Sequence, residues 1–444
     1  MADIFPFQAL RYDSNKVALA SVVTQPYDKI NPEMQDRYYT ADPHNFVRVI
    51  LGKSQAGDGD GANVYTRAVA ALQQWQAEQV LVRDAAPSIY LYTQTFKVPG
   101  DGSGASAERR GFIALGQVED YDQKVVFRHE QTLSEPKADR LNLLRATHAH
   151  CEQIFMVYSD PAGEIDLALR QNAPPTVEVA DEYGVVHRMW AISDPAVTKA
   201  VQAKMADKKL IIADGHHRYE TALNYRNERR GQSKIDLQAP YERMMMTYVN
   251  MDSPGLLILP THRVVFGLEG FSIFDMVEKL RKHFDVEDIG SLDKVEAAME
   301  RLRAAGQDRT AVLAATAHGG FLLRSGAGAP EKSFAGMSKE QSALDVVQLH
   351  KLVLEETLGM SEEDIRNQKY LRYVRDAREA VDEVRQGANA AFLINPVRME
   401  QMREIAFAGG VLPQKSTDFY PKLLSGLTVY SLEEAAQNSA AGGH

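Results

Sequence analysis

The sequence has a single cysteine, Cys151, among 444 residues. One thiol excludes an internal disulfide framework, so we expect a reducing cytoplasm, with Cys151 as a buried small hydrophobe rather than a catalytic thiol. No stretch approaches the roughly 18 apolar residues of a membrane-spanning helix, and the start, MADIFPFQALRYDSNK, lacks the basic and apolar regions of a signal peptide. The sequence therefore predicts no membrane partner.

Acidic residues outnumber basic ones, with 60 Asp and Glu against 50 Lys and Arg. The chain has a formal net charge of −10 and a pI of about 5.7. No basic tract offsets this acidic balance, which argues against nucleic acid as the main partner but leaves room for a local anion-binding pocket. Common catalytic motifs are missing too: there is no G-x-x-x-x-G-K-[ST] loop, no G-x-S-x-G elbow and no H-E-x-x-H zinc motif.

The composition is that of an ordinary globular protein, with 44% hydrophobic and 25% charged residues, and the length suffices for two or three domains. Strand-like and helix-like segments are mixed without strict βαβ alternation, which predicts an α+β fold with a mixed-sheet core. We predict a core domain from 1–268 plus 388–430, a second, smaller α+β domain at 269–387, and a partly disordered tail at 431–444.

The segment LIIADGHHRYETAL, near the middle of the chain, changes character abruptly. An apolar run suited to a buried strand gives way to an Asp-Gly turn signal and then to a helical pattern. A helix start has unpaired N–H groups and a positive dipole end, so it is a ready anion site, and an arginine and two histidines add donors. The residues concerned are Asp214, Gly215, His216, His217 and Arg218.

The same segment also has a purely structural interpretation. Asp214 can cap the helix while the basic residues after it face solvent. A helix cap accounts for the Asp-Gly pair but gives no reason for the His-His-Arg that follows it. Residue chemistry alone therefore leaves both the anion site and the capped turn open. If the segment is a site, the Asp214 carboxylate is a candidate ligand for a Mg²⁺ ion that bridges phosphates.

Four further polar clusters follow or interrupt apolar runs, and loop ends on a rigid scaffold are where sites are usually built. Each alone has a structural explanation as a turn, a surface pair, a strand end or an ST-turn. Together with residues 214–218 they predict one pocket assembled from distant parts of the chain. The clusters are Tyr27 and Asp28; His129, Glu130, Asp139 and Arg140; Thr261, His262 and Arg263; and Lys415, Ser416, Thr417 and Lys422.

The order of these clusters resembles a known family. PYD near the N-terminus, HE-x-T followed by DR, IADGHHRYETAL, LPTHR and finally PQKSTDFYPKL-x-SG resemble the prokaryotic domain-of-unknown-function family ten-fifteen over nearly the whole chain. The DGHHR segment is similar to that of ParB/sulfiredoxin-like nucleotide-binding proteins, a group that includes free-serine kinases. The resemblance implies a ParB/sulfiredoxin-like strand–turn–helix phosphate site at residues 214–218 and a role in serine metabolism.

Residue chemistry and resemblance lead to the same expected function, a phosphotransferase acting on a small hydroxylated metabolite. Free L-serine is the leading acceptor, and ATP, ADP or pyrophosphate is the donor. We expect Asp28, Glu130, Asp214, His216 and Arg218 to be catalytic, with Asp28 or Glu130 taking the hydroxyl proton and Asp214 holding Mg²⁺. The expected phosphate- and nucleotide-binding residues are Gly215, His216, His217, Arg218, His262, Arg263, Lys415, Ser416, Thr417 and Lys422.

Two alternatives share the same pocket. One is a phosphoserine phosphatase, in which water attacks the phosphoryl group instead of a hydroxyl. The other is a regulator that binds a nucleotide or a phosphorylated metabolite without catalysis. The direction of the reaction and the oligomeric state also stay open, with a homodimer among the options.

Overall fold

A computed structural model gives the fold. It describes residues 1–100, 104–130, 135–232, 234–326 and 331–433, with backbone alone at 135–137 and 331. The chain divides into two compact units. Unit 1 contains the described residues of Met1–Phe127, Thr132–Leu256 and Pro421–His444, and unit 2 those of Arg128–Gln131 and Leu257–Tyr420. Within these described ranges, no helix is both long and apolar enough to cross a membrane.

Strands and helices are interspersed along the chain. In chain order, the strands are β1 Ile4–Phe5, β2 Leu10–Tyr12, β3 Leu81–Arg83, β4 Ile89–Lys97, β5 Ser106–Gln117, β6 Val126–Phe127, β7 Ala149–His150, β8 Ile154–Tyr158, β9 Val177–Ala180, β10 Val186–Ile192, β11 Leu210–Asp214, β12 Arg243–Asn250, β13 Leu257–Leu259, β14 His262–Val265, β15 Phe284–Gly290, β16 Ala311–Thr316, β17 Gly319–Ser325, β18 Leu371–Val374, β19 Ala390–Ile394, β20 Asp418–Tyr420 and β21 Tyr430–Ser431. The α-helices are α1 Leu19–Val22, α2 Pro32–Ala41, α3 Val47–Ile50, α4 Val64–Ala77, α5 Glu135–Thr147, α6 Glu164–Ala168, α7 Pro195–Met205, α8 His216–Gln232, α9 Ile273–Leu280, α10 Val295–Ala305, α11 Lys339–Ser342, α12 Asp345–Gln348, α13 Glu362–Arg366, α14 Ala377–Arg385 and α15 Met399–Phe407, and a π-helix spans Leu349–Thr357.

Unit 1 is built on a mixed sheet with the strand order β6-β11-β8-β12-β5-β4-β10-β9, and β1 pairs with β5 outside this path. The β6–β11 and β8–β12 pairs are parallel and the other pairs are antiparallel. Buried residues such as Phe112 and Tyr248 form its core together with Tyr219 of α8. The predicted mixed-sheet α+β architecture is therefore confirmed. Cys151 is buried, as expected, and burial raises the pKa of its thiol to about 12.

Unit 2 has its own antiparallel sheet with the strand order β15-β17-β16-β19-β14-β18. Its core contains Val264, Leu313 and Leu393 from the strands and Val381 from α14. Because it has a separate sheet and a separate core, unit 2 is an α+β module in its own right.

The division between the units differs from the predicted boundaries. β13 and β14 already belong to unit 2, which begins at Leu257 rather than at 269. β19 pairs with β14 and β16, so the chain after 388 stays in unit 2 until Tyr420. The sequence of an apolar strand shows that the strand is buried but does not show in which domain. The strands with which it pairs decide which sheet it joins. Most of the predicted tail, from 434 onward, lies outside the described residues.

Candidate functional site

The buried strand β11 ends at Asp214, and helix α8 begins at His216. The residues of β11 before Asp214 are at most 4% exposed, because β11 lies between β6 and β8. Gly215 follows with φ +94°, in the left-handed region that glycine adopts without strain. Its carbonyl accepts a hydrogen bond from Tyr219 N at 3.0 Å, so Gly215 takes the N-cap position that the structural interpretation gave to Asp214.

Arg218 folds back over this turn instead of facing solvent. A Cβ at position 215 would lie 3.0–3.1 Å from the Arg218 guanidinium, so glycine leaves room for it. The guanidinium donates to Gln153 O and, at 3.1 Å, to Asp214 Oδ2, and the side chain is only 10% exposed. Burial alone would lower the pKa of Arg218, but the attraction of Glu152, Asp214 and Asp28 outweighs it and raises that pKa.

Lys422 approaches Asp214 from a segment far away in the sequence. Its Nζ lies 3.4 Å from Asp214 Oδ1, and its side chain is buried. The two oxygens of Asp214 therefore each face a cation, one from Arg218 and one from Lys422. Of the predicted cluster of Lys415, Ser416, Thr417 and Lys422, the structure therefore places Lys422 beside residues 214–218.

Two residues of this neighbourhood were missed by the sequence analysis, Gln94 and Arg109. Gln94 Oε1 accepts from Arg109 Nε at 3.0 Å, and Gln94 Nε2 donates to Lys422 O at 2.7 Å. Arg109 also donates to Pro421 O. Together they hold the backbone that carries Lys422. Because β5 also contains Glu108 and Arg110, no sequence signal distinguished Gln94 and Arg109.

Arg109 adds a third positive charge near Asp214. Burial lowers its pKa to about 10, with Tyr92 and Asp214 opposing the shift, so it stays protonated at neutral pH. Its guanidinium packs 4.5 Å from the centre of the Phe155 ring, and its Nη1 has no hydrogen-bond partner within the described structure. Arg109, Arg218 and Lys422 thus place three positive charges near Asp214, while Glu152 and Asp28 also act on Arg218.

A buried carboxylate, Glu152, connects the PYD and DR clusters to this neighbourhood. Glu152 Oε1 accepts from Tyr27 N at 3.1 Å and from Ser425 Oγ at 3.1 Å. Its other oxygen lies 3.5 Å from Arg140, whose guanidinium stacks 4.1 Å from the centre of the Tyr27 ring. Asp28 follows Tyr27 and acts on Arg218 electrostatically. Unit 1 therefore brings together residues 27–28, 140, 214–218 and 422.

The unit 1 cluster is suited to binding an anionic group. Arg218, Lys422 and Arg109 lie around the Asp214 carboxylate, and Glu152 and Asp28 add negative charge near Arg218. They lie next to the N-terminus of α8, a helix of 17 residues whose dipole adds positive potential. His216 is buried at the start of this helix and His217 is half-buried beside it. Because the cations are largely buried, solvent screens their charges only weakly.

The other predicted clusters gather inside unit 2. His129 Nε2 lies 2.7 Å from Thr417 Oγ1, and Glu130 forms an isolated bridge with Leu412. Arg263 donates to Lys415 O at 3.1 Å. Residues 129–130, 261–263 and 415–417 are therefore neighbours. Whether the unit 1 and unit 2 clusters form one pocket stays a prediction.

The unit 2 residues have mainly structural contacts. Arg263 is fully buried and donates to the carbonyls of Thr261 and Lys415, and Lys415 has φ +55°, a strained conformation for a lysine. Ser416 Oγ donates to Pro413 O. Burial lowers the pKa of His262 to about 4, so its ring is neutral and carries no charge for a phosphate. These contacts favour a role for Arg263 in holding the 413–417 loop.

The residues present do not fit the predicted Mg²⁺ site well. Both oxygens of Asp214 already face cations. Among the described residues, no group of three or more His, Cys, Asp or Glu is arranged to hold a metal ion. Asp214 is better explained as the counter-ion that positions Arg218 and Lys422, and we derive no step through a metal.

Comparisons with known proteins give a family but no activity. A family model described as a protein of unknown function (DUF1015) matches residues 4–364, which leaves the PQKSTDFYPKL-x-SG segment outside the match. No curated protein matches the chain. The resemblance of residues 214–218 to ParB/sulfiredoxin-like proteins stays a prediction.

Several solved structures share distant similarity. A free serine kinase variant in complex with ADP is 12% identical, with a TM-score of 0.35 over 66% of this chain and 84% of that one. A conserved hypothetical protein from Pyrococcus furiosus is 12% identical, with a TM-score of 0.33 over 66% and 87%. SbnI from Staphylococcus aureus, truncated at its C-terminus, is 9% identical, with a TM-score of 0.31 over 72% and 89%. TM-scores this low do not define a shared fold or activity.

Proposed function

Since the chain belongs to the DUF1015 family of proteins of unknown function, we propose its activity from the unit 1 site: transfer of a phosphoryl group to the hydroxyl of a small metabolite. The observation that carries the proposal is the gathering of three largely buried cations, Arg218, Lys422 and Arg109, around Asp214 at the start of α8. Phosphoryl transfer requires mainly positioning and neutralisation of charge, and this neighbourhood supplies both.

The binding step uses the helix start and the two cations that flank Asp214. Arg218 offers a planar fork that matches phosphate oxygens, and Lys422 offers a point charge. The Arg218 guanidinium lies over Gly215, so a phosphate bound at the start of α8 would also contact Arg218. ATP, ADP or pyrophosphate would each present such a group.

The chemical step needs a base for the acceptor hydroxyl. The acceptor oxygen forms a bond to phosphorus while the bond from phosphorus to the bridging oxygen of the donor breaks, and the hydroxyl proton passes to a carboxylate. Asp28 suits this role because it acts on Arg218 and its side chain is about 32% exposed, so a substrate can reach it. Glu152, by contrast, is buried and accepts hydrogen bonds from Tyr27 and Ser425. Glu130 in unit 2 is the other candidate base.

Free L-serine is the proposed acceptor, on the strength of the sequence resemblance of residues 214–218 to free-serine kinases. Phosphoserine hydrolysis in the same pocket and ligand binding without catalysis are the competing functions. A kinase turns over only when a phosphoryl donor and a hydroxyl acceptor are both present. This requirement distinguishes it from the phosphatase and from the regulator.

The deciding experiment is ³¹P NMR of the full-length protein with Mg²⁺, L-serine and one donor at a time. A phosphomonoester signal that depends on both serine and donor is the expected result. In a parallel sample with phosphoserine, release of inorganic phosphate would identify the phosphatase instead. If no phosphorus-containing product forms but a nucleotide binds saturably, the protein is a ligand-binding regulator rather than an enzyme.

Ligand binding at this site should also stabilise the folded protein. Phosphate, pyrophosphate, ADP and ATP are each expected to raise the melting temperature in a concentration-dependent way, and a ligand at 100 times its Kd contributes about 2.7 kcal/mol. Thermal shift measurements at constant ionic strength, with chloride as the control anion, test this. A flat response to all four ligands at several millimolar would contradict an anion site at the start of α8.

A further inference from the structure

Two segments of unit 1 that carry residues of the proposed site lie side by side. Thr24 N donates to Ser425 O at 3.1 Å, and Ser425 N donates to Thr24 O at 2.9 Å. Asp28 follows a few residues after Thr24, and Lys422 precedes Ser425 by a similar distance along the chain. Whatever fixes these two segments therefore also fixes where Asp28 and Lys422 lie.

Asp181, in the turn between β9 and β10, holds the first of these segments. One of its oxygens accepts two backbone N–H hydrogen bonds at 2.9 Å within its own turn, so the hairpin itself orients the carboxylate. The other oxygen accepts from Gln25 Nε2 at 3.2 Å and faces His187 Nε2 at 3.3 Å. Gln25 is 3% exposed, and through it Asp181 anchors the segment that carries Asp28.

His187 continues the hydrogen bonding from Asp181 to Tyr92. Its side chain is fully buried, and burial lowers its pKa although Asp181 opposes the shift, so the imidazole is neutral at neutral pH. A carboxylate can only accept, so the single N–H of the ring lies on Nε2 and points to Asp181. Nδ1 is then the acceptor for the Tyr92 hydroxyl, 2.6 Å away. We call Asp181, His187 and Tyr92 the buried polar chain.

Tyr92 brings the buried polar chain to the second segment. Its oxygen receives a hydrogen bond from the backbone of Leu424, which lies shortly after Lys422 in the sequence. Gln94, on the same strand, donates to Lys422 O at 2.7 Å. The buried polar chain therefore begins at the segment of Asp28 and ends at the segment of Lys422.

We propose that the buried polar chain positions Asp28 and Lys422 for phosphoryl transfer. The inference rests on the proposed function, in which Asp28 is the base and Lys422 holds a phosphate. The members of the chain are positioning residues rather than catalytic ones, because they act through the backbone that they hold. Their precision matters because a displacement of about 1 Å can lower a rate by about 10²-fold. Burying three polar side chains costs free energy unless each is paired, and here each has its partners.

Hydrogen exchange of the full-length protein, measured by mass spectrometry, tests whether the chain holds the segments. Tyr92→Phe removes the phenol oxygen but keeps the ring, and a peptide covering 420–428 should exchange about tenfold faster. Gln25→Met keeps the length of the side chain but removes its donor, and a peptide covering 22–30 should exchange faster by a similar factor. Each factor corresponds to the loss of about one buried hydrogen bond.

Tyr90→Phe is the matched control for Tyr92→Phe. Tyr90 lies on the same strand and is fully buried. Its hydroxyl oxygen lies 3.1 Å from Ala9 N, from which it accepts, and 2.7 Å from Asp84 Oδ2, to which it donates. This variant also loses a buried phenol oxygen, but it should leave the exchange of both peptides at parental rates.

The two ends of the buried polar chain also predict different functional effects. Tyr92→Phe loosens Lys422 and should weaken pyrophosphate binding in calorimetry by about tenfold. Gln25→Met loosens Asp28 and should lower kcat by about tenfold or more, with pyrophosphate affinity within about twofold of the parent. Tyr90→Phe should change neither quantity. A merely structural role would not produce this division between affinity and kcat.

Circular dichroism shows whether each variant folds, and Gln25→Met decides the matter if Tyr92→Phe does not. Parental exchange of the 420–428 peptide in folded Tyr92→Phe, or of the 22–30 peptide in folded Gln25→Met, would overturn the proposal whether or not the protein transfers phosphate. Faster exchange without the division between affinity and kcat would overturn it as well. A parent with neither turnover nor pyrophosphate binding would refute the proposed function and the positioning role together, and the exchange rates would still show whether the chain holds the two segments.

Discussion

Replacing Arg218 by lysine is expected to lower turnover by about two orders of magnitude or more, because contacts that neutralise charge in a transition state are worth a few kcal/mol. Lysine keeps the positive charge but loses the planar fork that reaches both Gln153 O and Asp214. Since Arg218 is largely buried, we also expect a loss of about 1–3 kcal/mol in the free energy of unfolding. Steady-state kinetics and denaturant unfolding of the same preparation measure the two effects separately.

Arg226 provides a matched control on the same helix. It is also buried, and it donates to Val118 O and, at 2.7 Å, to Asp120 Oδ2. Arg226→Lys should therefore cost similar stability while turnover stays near the parental value. If both variants lose activity in proportion to their stability, Arg218 is a structural residue and the phosphate-clamp assignment fails.

Replacing Asp28 by asparagine should reduce turnover by about 10²–10⁴-fold, because a general base contributes that much. Ligand affinity should stay close to the parental value, since asparagine keeps the shape of the side chain and Arg218 and Lys422 remain in place. Turnover from ³¹P NMR and affinity from calorimetry with the phosphoryl donor give the two numbers. Asp36→Asn, on the exposed face of α2, is the control and should change neither.

Glu130→Gln completes this test. If Glu130→Gln abolishes turnover and Asp28→Asn does not, the base lies in unit 2. If neither variant loses activity while the parent is active, then neither carboxylate is the base and the assignment from sequence is wrong for both.

Local sequence was enough to predict the junction at residues 214–218. A run of Leu, Ile and Ile followed by Asp-Gly and a helical pattern carries its strand, turn and helix signals in adjacent residues. The observed β11, the left-handed Gly215 and the helix that begins at His216 follow from those signals. The α+β class could be predicted for the same reason, since it depends on the order of local elements.

The other features of the fold and the site depend on contacts between residues far apart in the chain, which the sequence alone did not predict. Gln94 and Arg109 could not be singled out, because the glutamine binds an arginine 15 residues away and a carbonyl 328 residues away. Arg263 was predicted to bind phosphate, and its hydrogen bonds to the carbonyls of Thr261 and Lys415 could not be predicted from chain order. The assignment of β19 to unit 2 depends on its pairing with β14 and β16.

The sequence by itself determined which residue types were available: the acidic surface, the single buried thiol, and the polar clusters at the ends of apolar runs. Only the tertiary structure decided how their charges combine. It placed Lys422 against Asp214 and folded Arg218 over Gly215. The physical reason is that a side chain's charge, solvation and hydrogen-bonding capacity depend on what lies within a few ångströms of it. Chain order does not specify those neighbours when they come from segments hundreds of residues apart.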